Sequence, residues 1–339
     1  MKKSLIALAV AGAFAAPAFA ATSNVDVYGV LNIAIQDTDV SGYNMAVLDN
    51  TSRIGFKGSE DLGGGLKAIW QIESGLGGHG STTIGTVGNA TLGTRNTFVG
   101  LAGGFGTVLM GKHDTPYKLG TGSLDIFADT YGDYNLGRIG DTTPLASFNS
   151  GVQLIDNTQD ARDGQALAYI SPTWSGFHFA AAVVMGNGEA GSFTGATTKT
   201  IDAVSATGVY VNGPLFASLS YQTTELLDSS AWKVGVGYTF GDTKVGAVYE
   251  NVDKYDGVRD RDSWLLNITH TMGPIVLKAQ YGQANVDVLG ASLDQDAWAI
   301  GADYNLSKRT SVYFVYGDGD TDTVAGNASG WNLGIKHSF

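Results

Sequence analysis

A chain of 339 residues with 48 glycines, 6 prolines and no cysteine is long enough for one large fold or two ordinary domains. The missing cysteine excludes disulfide scaffolds, thiolate metal sites and cysteine nucleophiles. A formal charge of −12 argues against nucleic acid as a partner.

At the N-terminus, Lys2 and Lys3 form a positive start and Leu5 to Ala16 an apolar run too short to span a bilayer. Ala18-Phe19-Ala20 is a small-residue cleavage pattern. Residues 1–20 therefore read as a secretory signal peptide and 21–339 as the mature domain. Removing the two lysines leaves 18 basic residues against 32 acidic ones, a mature charge of about −14. No later apolar run approaches the roughly 18 residues that a spanning helix needs.

Beyond the leader the pattern has period two. Leu66, Ala68, Trp70 and Ile72 alternate with Lys67, Ile69, Gln71 and Glu73. Trp232, Val234, Val236, Tyr238 and Phe240 alternate with Lys233, Gly235, Gly237 and Thr239. Such alternation marks strands with two different faces. Sixteen strands of roughly ten residues, the length a tilted strand needs to cross hydrocarbon, are predicted. They start near Val25, Thr51, Gly65, Arg95, Gly106, Gln165, Phe177, Ala203, Leu215, Ser230, Thr243, Arg261, Ile275, Ala297, Thr310 and Gly330.

The connections alternate strictly in length. Gly-Pro and Gly-Asp turns such as Gly213-Pro214, Gly241-Asp242 and Gly273-Pro274 are short. Those at Asp37–Asn50, Gly75–Thr94, Asp114–Gly164, Gly186–Asp202, Val286–Asp296 and Gly317–Ser329 are long. Short turns on one rim and long loops on the other predict an all-β, 16-stranded antiparallel transmembrane β-barrel with both termini on the short-turn side. Lys67, Lys233, Lys244, Lys278 and Lys336 share the minority parity. A lipid-facing Lys or Arg at mid-membrane costs about 2–4 kcal/mol, so that parity faces the lumen. Trp70, Trp232, Trp264, Trp298 and Trp331 fall on the other parity and are expected at strand ends, as interface girdles.

The connection Asp114–Gly164 is several times the usual loop length, and loops of that length are generally functional. It mixes Leu124, Ile126, Phe127, Tyr131 and Tyr134 with Asp125, Asp129, Asp133 and Asp141. Folding inward, this third long loop would bury Ile126 and Phe127 against the wall and present its acids, Asp125, Asp129 and Asp133, to the lumen. Arg53, Lys57, Lys67, Arg95 and Arg162 are the candidates for a facing basic wall. One such pair across a wet gap of about 10 Å is worth only about 0.4 kcal/mol. Several charges in a low-dielectric tube bias ion flow without holding a solute.

Other patterns are weaker. Asp318-x-Asp320-x-Asp322 starts like a calcium loop, but Thr323 stands where Gly is required and Ser329 where Glu is. His79, His113, His178, His270 and His337 have no metal-ligand spacing. No serine–histidine–acid arrangement is present, so neither an enzyme nor a cofactor is expected.

Ser52-Arg-Ile-Gly-Phe-Lys-Gly-Ser-Glu-Asp-Leu-Gly-Gly-Gly-Leu-Lys-Ala-Ile-Trp-Gln-Ile-Glu73 resembles the signature hairpin of general bacterial porins of the β-proteobacterial type. Arg95-Asn-Thr-Phe-Val-Gly-Leu101, Tyr169-Ile-Ser-Pro172 and Gly334-Ile-Lys-His-Ser-Phe339 continue the resemblance. It implies an outer-membrane homotrimer passing small ions and hydrophilic solutes, with an inward third loop facing arginines that Arg53 and Arg95 match. It also implies contact with lipid and lipopolysaccharide, and recognition of Phe339 by the barrel-assembly machinery. The stretch after Arg162 departs from the family's Asn-Ser pattern, and the long loop lacks its Pro-Glu-Phe-Gly segment. A substrate-selective channel, or a barrel enzyme or adhesin, is the alternative. Conductance that saturates with one solute, or hydrolytic activity, would mark them.

Overall fold

The computed structural model describes residues 24–39, 45–77, 92–135, 152–156, 158–186, 200–225, 227–254, 259–288, 291–321 and 328–339. The expected signal peptide and Asp141 lie outside them. One antiparallel sheet contains seventeen strand segments: β1 (Asn24–Thr38), β2 (Ala46–Asp49), β3 (Arg53–Gly63), β4 (Leu66–Gly75), β5 (Thr97–Gly103), β6 (Gly106–Asp114), β7 (Arg162–Ile170), β8 (Phe177–Met185), β9 (Ile201–Asn212), β10 (Leu215–Thr224), β11 (Ser229–Phe240), β12 (Thr243–Asp253), β13 (Arg261–Met272), β14 (Ile275–Val288), β15 (Ala291–Asn305), β16 (Thr310–Thr321) and β17 (Ala328–Ser338).

β2 and β3 are one stave, because both pair with β1, β2 along Ile33–Gln36 and β3 along Asn24–Val30. The barrel therefore has sixteen staves. The interruption is local: Asp49 Oδ1 accepts from Ser52 N at 2.7 Å, and Thr51 takes φ 67°. β1 also pairs with β17, so no edge is left open. The seam ends on Phe339, whose N–H and C=O both bond to Gly29 at 3.1 Å.

The described flanks of two expected loops, Val286–Asp296 and Gly317–Ser329, are instead paired sheet. β14 continues to Val288 and β15 starts at Ala291, and β16 reaches Thr321. Above the apolar belt both faces become polar, so the hydrophobic alternation fades while backbone pairing goes on. Asp318 and Asp320 accordingly lie in β16, opposite Trp298 and Asp296. They belong to a strand, not to a calcium loop.

The parities divide as charge cost demands. Leu219, Val236, Leu266, Ile268 and Ile300 point outward and are exposed, while Lys233, Glu250 and Asn267 point inward and are buried. Outward aromatic pairs line the long-loop rim: Trp232–Tyr249 at 5.2 Å, Trp264–Tyr281 at 5.4 Å and Trp298–Tyr316 at 5.5 Å between ring centroids. Trp70 is an exception to the girdle expectation, since it sits at the middle of β4, opposite Val99.

Candidate functional site

The described parts of the long connection after β6, residues 115–135, 152–156 and 158–161, run along the inner wall. Thr115 caps a short helix α1 (Pro116–Thr121) by accepting from Lys118 N at 3.3 Å, and Pro116 stands in its first turn, where no N–H is needed. A single 3-10 turn, Gly122–Leu124, follows. From there apolar side chains plug gaps above inward-facing glycines. Leu124 lies over Gly235, Gly237 and Gly246, Phe127 over Gly301, Tyr131 over Gly330 and Leu154 over Gly282. A Cβ on any of these glycines would come within 3.1 Å of the plug. Polar bonds add to the fit: Asn267 donates to Leu124 O at 2.7 Å, and Asn32 donates to Asp129 O at 2.8 Å.

These sockets yield a first expected result. In Gly235→Val the new side chain meets Leu124, Ser218 and Thr121, all side chains, two of them from the connection. Overpacking costs about 1–3 kcal/mol. The barrel should still form, with heat-dependent electrophoretic migration unchanged. Protease sensitivity at 115–135 should rise.

The return limb is fixed by buried charge. Lys233 contacts Asp160, with both side chains fully enclosed, and its ammonium lies 4.2 Å from the centre of the Tyr117 ring. Glu250 accepts from Tyr117 Oη at 2.8 Å, from Asp156 N at 2.7 Å and from Arg261 Nη1 at 3.1 Å. Arg261 also donates to Gln153 O. Lys233 and Glu250 are direct cross-strand partners on β11 and β12. Sequence reasoning placed Lys233 in the lumen but missed this cluster. The detectable signal was the opposite charges facing each other across adjacent lumen-parity strands.

The expected basic wall divides into separate groups. Arg53, at the head of β3, bonds Asp129 at 3.0 Å, and Lys336 approaches the same carboxylate at 3.7 Å. Arg95 bonds Glu73 at 2.6 Å, and Tyr28 donates to the other Glu73 oxygen at 3.0 Å. Arg95 lies just before β5 and Arg162 opens β7, each slightly displaced from the expected strand starts. Arg162 bonds Asp114 at 2.9 Å, and Lys118 faces that same carboxylate at 3.7 Å. Lys57, roughly 13 Å further along β3 at strand rise, stands over the Tyr28 ring at 5.1 Å. Lys67 is not brought to this group. It pairs opposite Asp61 at the short-turn rim, roughly 27 Å from Arg53 along the strand.

The acids also differ from the expected wet gap. Asp129 is in direct contact with Arg53. Asp125 accepts from Phe127 N at 3.1 Å. Asp133 is turned into the connection and takes the N–H groups of Asp129 at 2.9 Å and Asn135 at 3.1 Å. Burial pushes the Asp133 carboxyl up to about 6, against its two hydrogen bonds and helped by Asp129. Burial and the neighbouring Asp133 also push Asp125 well up.

A carboxyl whose folded pKa is raised favours the docked state fully below its unfolded pKa and loses that effect as pH rises through the folded one. Here the window is about pH 4 to 6, on the order of 3 kcal/mol across it. Hydrogen exchange at Asn135 N, corrected for intrinsic rate, should be slower at pH 5 than at pH 7. Asp133→Asn should flatten that dependence.

Among the described residues, no group of three or more His, Asp or Glu is placed to hold a metal ion. A family model described as Gram-negative porin matches residues 7–324. Outer membrane porin protein 32 of Delftia acidovorans is 31% identical over 335 residues, covering 92% of this chain and 88% of that protein. Among solved structures, an anion-selective porin from Comamonas acidovorans superposes with a TM-score of 0.71 at 22% identity, covering 94% of this chain and all of that one. The trimer form of OmpT, an outer membrane protein of Vibrio cholerae, does so at 0.64 and 17% identity, with 94% and 100% coverage. At these identities the two structures establish the fold.

Proposed function

Because the chain belongs to the Gram-negative porin family and is an outer-membrane channel for passive diffusion of small hydrophilic solutes and ions, we propose that its weak charge selectivity arises where the inward third loop meets the arginines. The contact of Asp129 with both Arg53 and Lys336 carries this reading. One carboxylate answers two cations there, as Asp114 answers Arg162 and Lys118. Arg95 is matched by Glu73, and Lys57 adds a further cation over a neutral ring. Asp125 and Asp133 lie behind this front, and burial disfavours their charged forms. The balance at the narrowing is positive although the whole chain is acidic. Charges further away than about 8 Å are screened at physiological salt. The sign is that of a mild anion preference, in keeping with the description of the Comamonas acidovorans structure. Lys67 serves the periplasmic mouth in this scheme.

As a member of this family the chain is read here as a channel and not as an enzyme. Residues 1–20 act as its export signal and 21–339 form the barrel domain. Three copies associate through the side of β1–β5. There the outward residues Val27, Leu31, Ile35, Val99 and Leu101 are aliphatic and exposed, while the outer-rim aromatic ladder covers β11–β17. The remaining outward surface meets lipid and lipopolysaccharide, and Phe339, at the seam with Gly29, is the residue that the assembly machinery reads. Conductance in planar bilayers tests the diffusion reading. It should rise linearly with salt and show no block by any one sugar or amino acid at micromolar concentration.

A further inference from the structure

Phe98 of β5 places an aromatic ring on the water-facing side of the wall. It pairs opposite Gln71 of β4, which pairs opposite Lys57 of β3, so all three share the lumen parity and one row. The next residue, Val99, points outward and is exposed. Phe98 is half-buried. Its back packs against Leu109, Ala168, Ile170, Ala180 and Ala182, an apolar cluster on β6 to β8. The His113 ring stands edge-on to it, 5.3 Å between centroids and 64° between planes. These contacts hold the Phe98 ring in one orientation, with its remaining surface toward the pore.

We propose that Phe98 and Lys57 form a transit site for anions that carry a flat apolar body, aromatic carboxylates above all, a step that rests on the channel reading above and names a solute class within it. The two residues stand two strand spacings apart on their row, roughly 10 Å, with Gln71 between them. A single-ring carboxylate bridges that gap. Its ring lies against Phe98, edge-on or offset. Its carboxylate meets the Lys57 ammonium, and the Gln71 amide donates to it. Lys57 is already placed, with its ammonium 5.1 Å from the centre of the Tyr28 ring. Asp26 faces Lys57 from β1, on the side away from Phe98, so the approach open to an anion is from the Phe98 side. Arg95 stands three residues before Phe98 and bonds Glu73, one step nearer the long-loop rim. An anion that has passed the arginines therefore meets Phe98 next on its way to the short-turn rim. A hydroxylated anion of equal charge and size makes the ion contact but must shed water from its hydroxyls to lie against the ring. The site thus sorts anions by their apolar face and not by charge alone. One ring contact and one exposed ion contact favour passage without lasting occupation.

The test uses the whole protein in planar bilayers at neutral pH. Reversal potentials are read with potassium chloride on one side and potassium benzoate on the other, then with potassium shikimate, a hydroxylated six-ring carboxylate of similar size, in place of benzoate. Benzoate should permeate roughly threefold better than shikimate, or more. Phe98→Leu keeps the packing on Leu109 and loses the ring, so the ratio should fall to near one. Phe98→Tyr should retain it. Lys57→Gln should lower both anions relative to potassium. A wild-type ratio near one, a ratio unmoved in Phe98→Leu, or benzoate permeability unmoved in Lys57→Gln would overturn the proposal. The wild-type measurement decides by itself even where a variant fails to fold. A wild-type ratio near one beside a persisting preference for chloride over potassium would defeat the transit site and leave the selectivity reading standing, whereas loss of the chloride preference would defeat that reading itself.

Discussion

Lys233→Met should release the return limb of the third loop and turn a quiet channel into a noisy one. The side chain keeps its approximate length, but Asp160 and Glu250 lose a cation in a fully enclosed site. Removing one partner from a buried ion pair costs about 3–5 kcal/mol, because the other charge is left without compensation. The barrel itself is held by continuous strand pairing on both sides of β11, so the deficit falls on loop docking. Current traces should show frequent transitions between conductance levels, and proteolysis should cut near 152–160 at a rate at least tenfold above wild type. The double variant Lys233→Met with Asp160→Leu replaces the pair by apolar groups, which is often neutral. It should restore quiet traces. Equal noise in the single and double variants would show that the pair does not hold the loop.

Arg53→Ala combined with Arg95→Ala should move ion selectivity toward cations by several-fold in permeability ratio. Two positive charges are lost from the proposed constriction, and Glu73 and Asp129 are no longer neutralised by them. Asp129 keeps Lys336 at 3.7 Å, and Glu73 keeps the hydroxyl of Tyr28. The loop tip should stay in place through Asn32 and Tyr131, whose contacts do not involve the arginines. Arg53→Lys with Arg95→Lys keeps the charge and loses the planar fork, so its reversal potential should stay near wild type. An unchanged reversal potential in the alanine pair would remove both residues from the wall.

The sixteen staves were legible because membrane and lumen impose opposite demands on alternate residues, and a period-two pattern survives boundary errors. Polarity hid the extended strands. Asn285, Asp287, Asp294 and Asp296 carry no hydrophobic signal although their backbones are paired. The short segment Ala46–Asp49 was hidden by the turn at Thr51, which breaks the run but not the stave. At the proposed constriction, residue types were legible and partners were not. Arg53 reaches Asp129 across 76 positions of chain, and Lys233 reaches Asp160 across 73. Distances of that kind depend on the loop path, which is set by glycine sockets scattered over β11 to β17. A glycine on lumen parity reads in sequence as a weak strand position. Only beside Leu124 or Phe127 does its purpose show.

The most direct measurement is the reversal potential of the wild-type channel in a planar bilayer under a tenfold potassium chloride gradient. Perfect selectivity for one ion would give about 59 mV. A small potential of anion sign, well under half that value, with channels entering in equal triplet steps, is what a weakly selective trimeric porin gated by Arg53, Arg95 and Asp129 produces. A potential of cation sign, or one close to the full value, would contradict it.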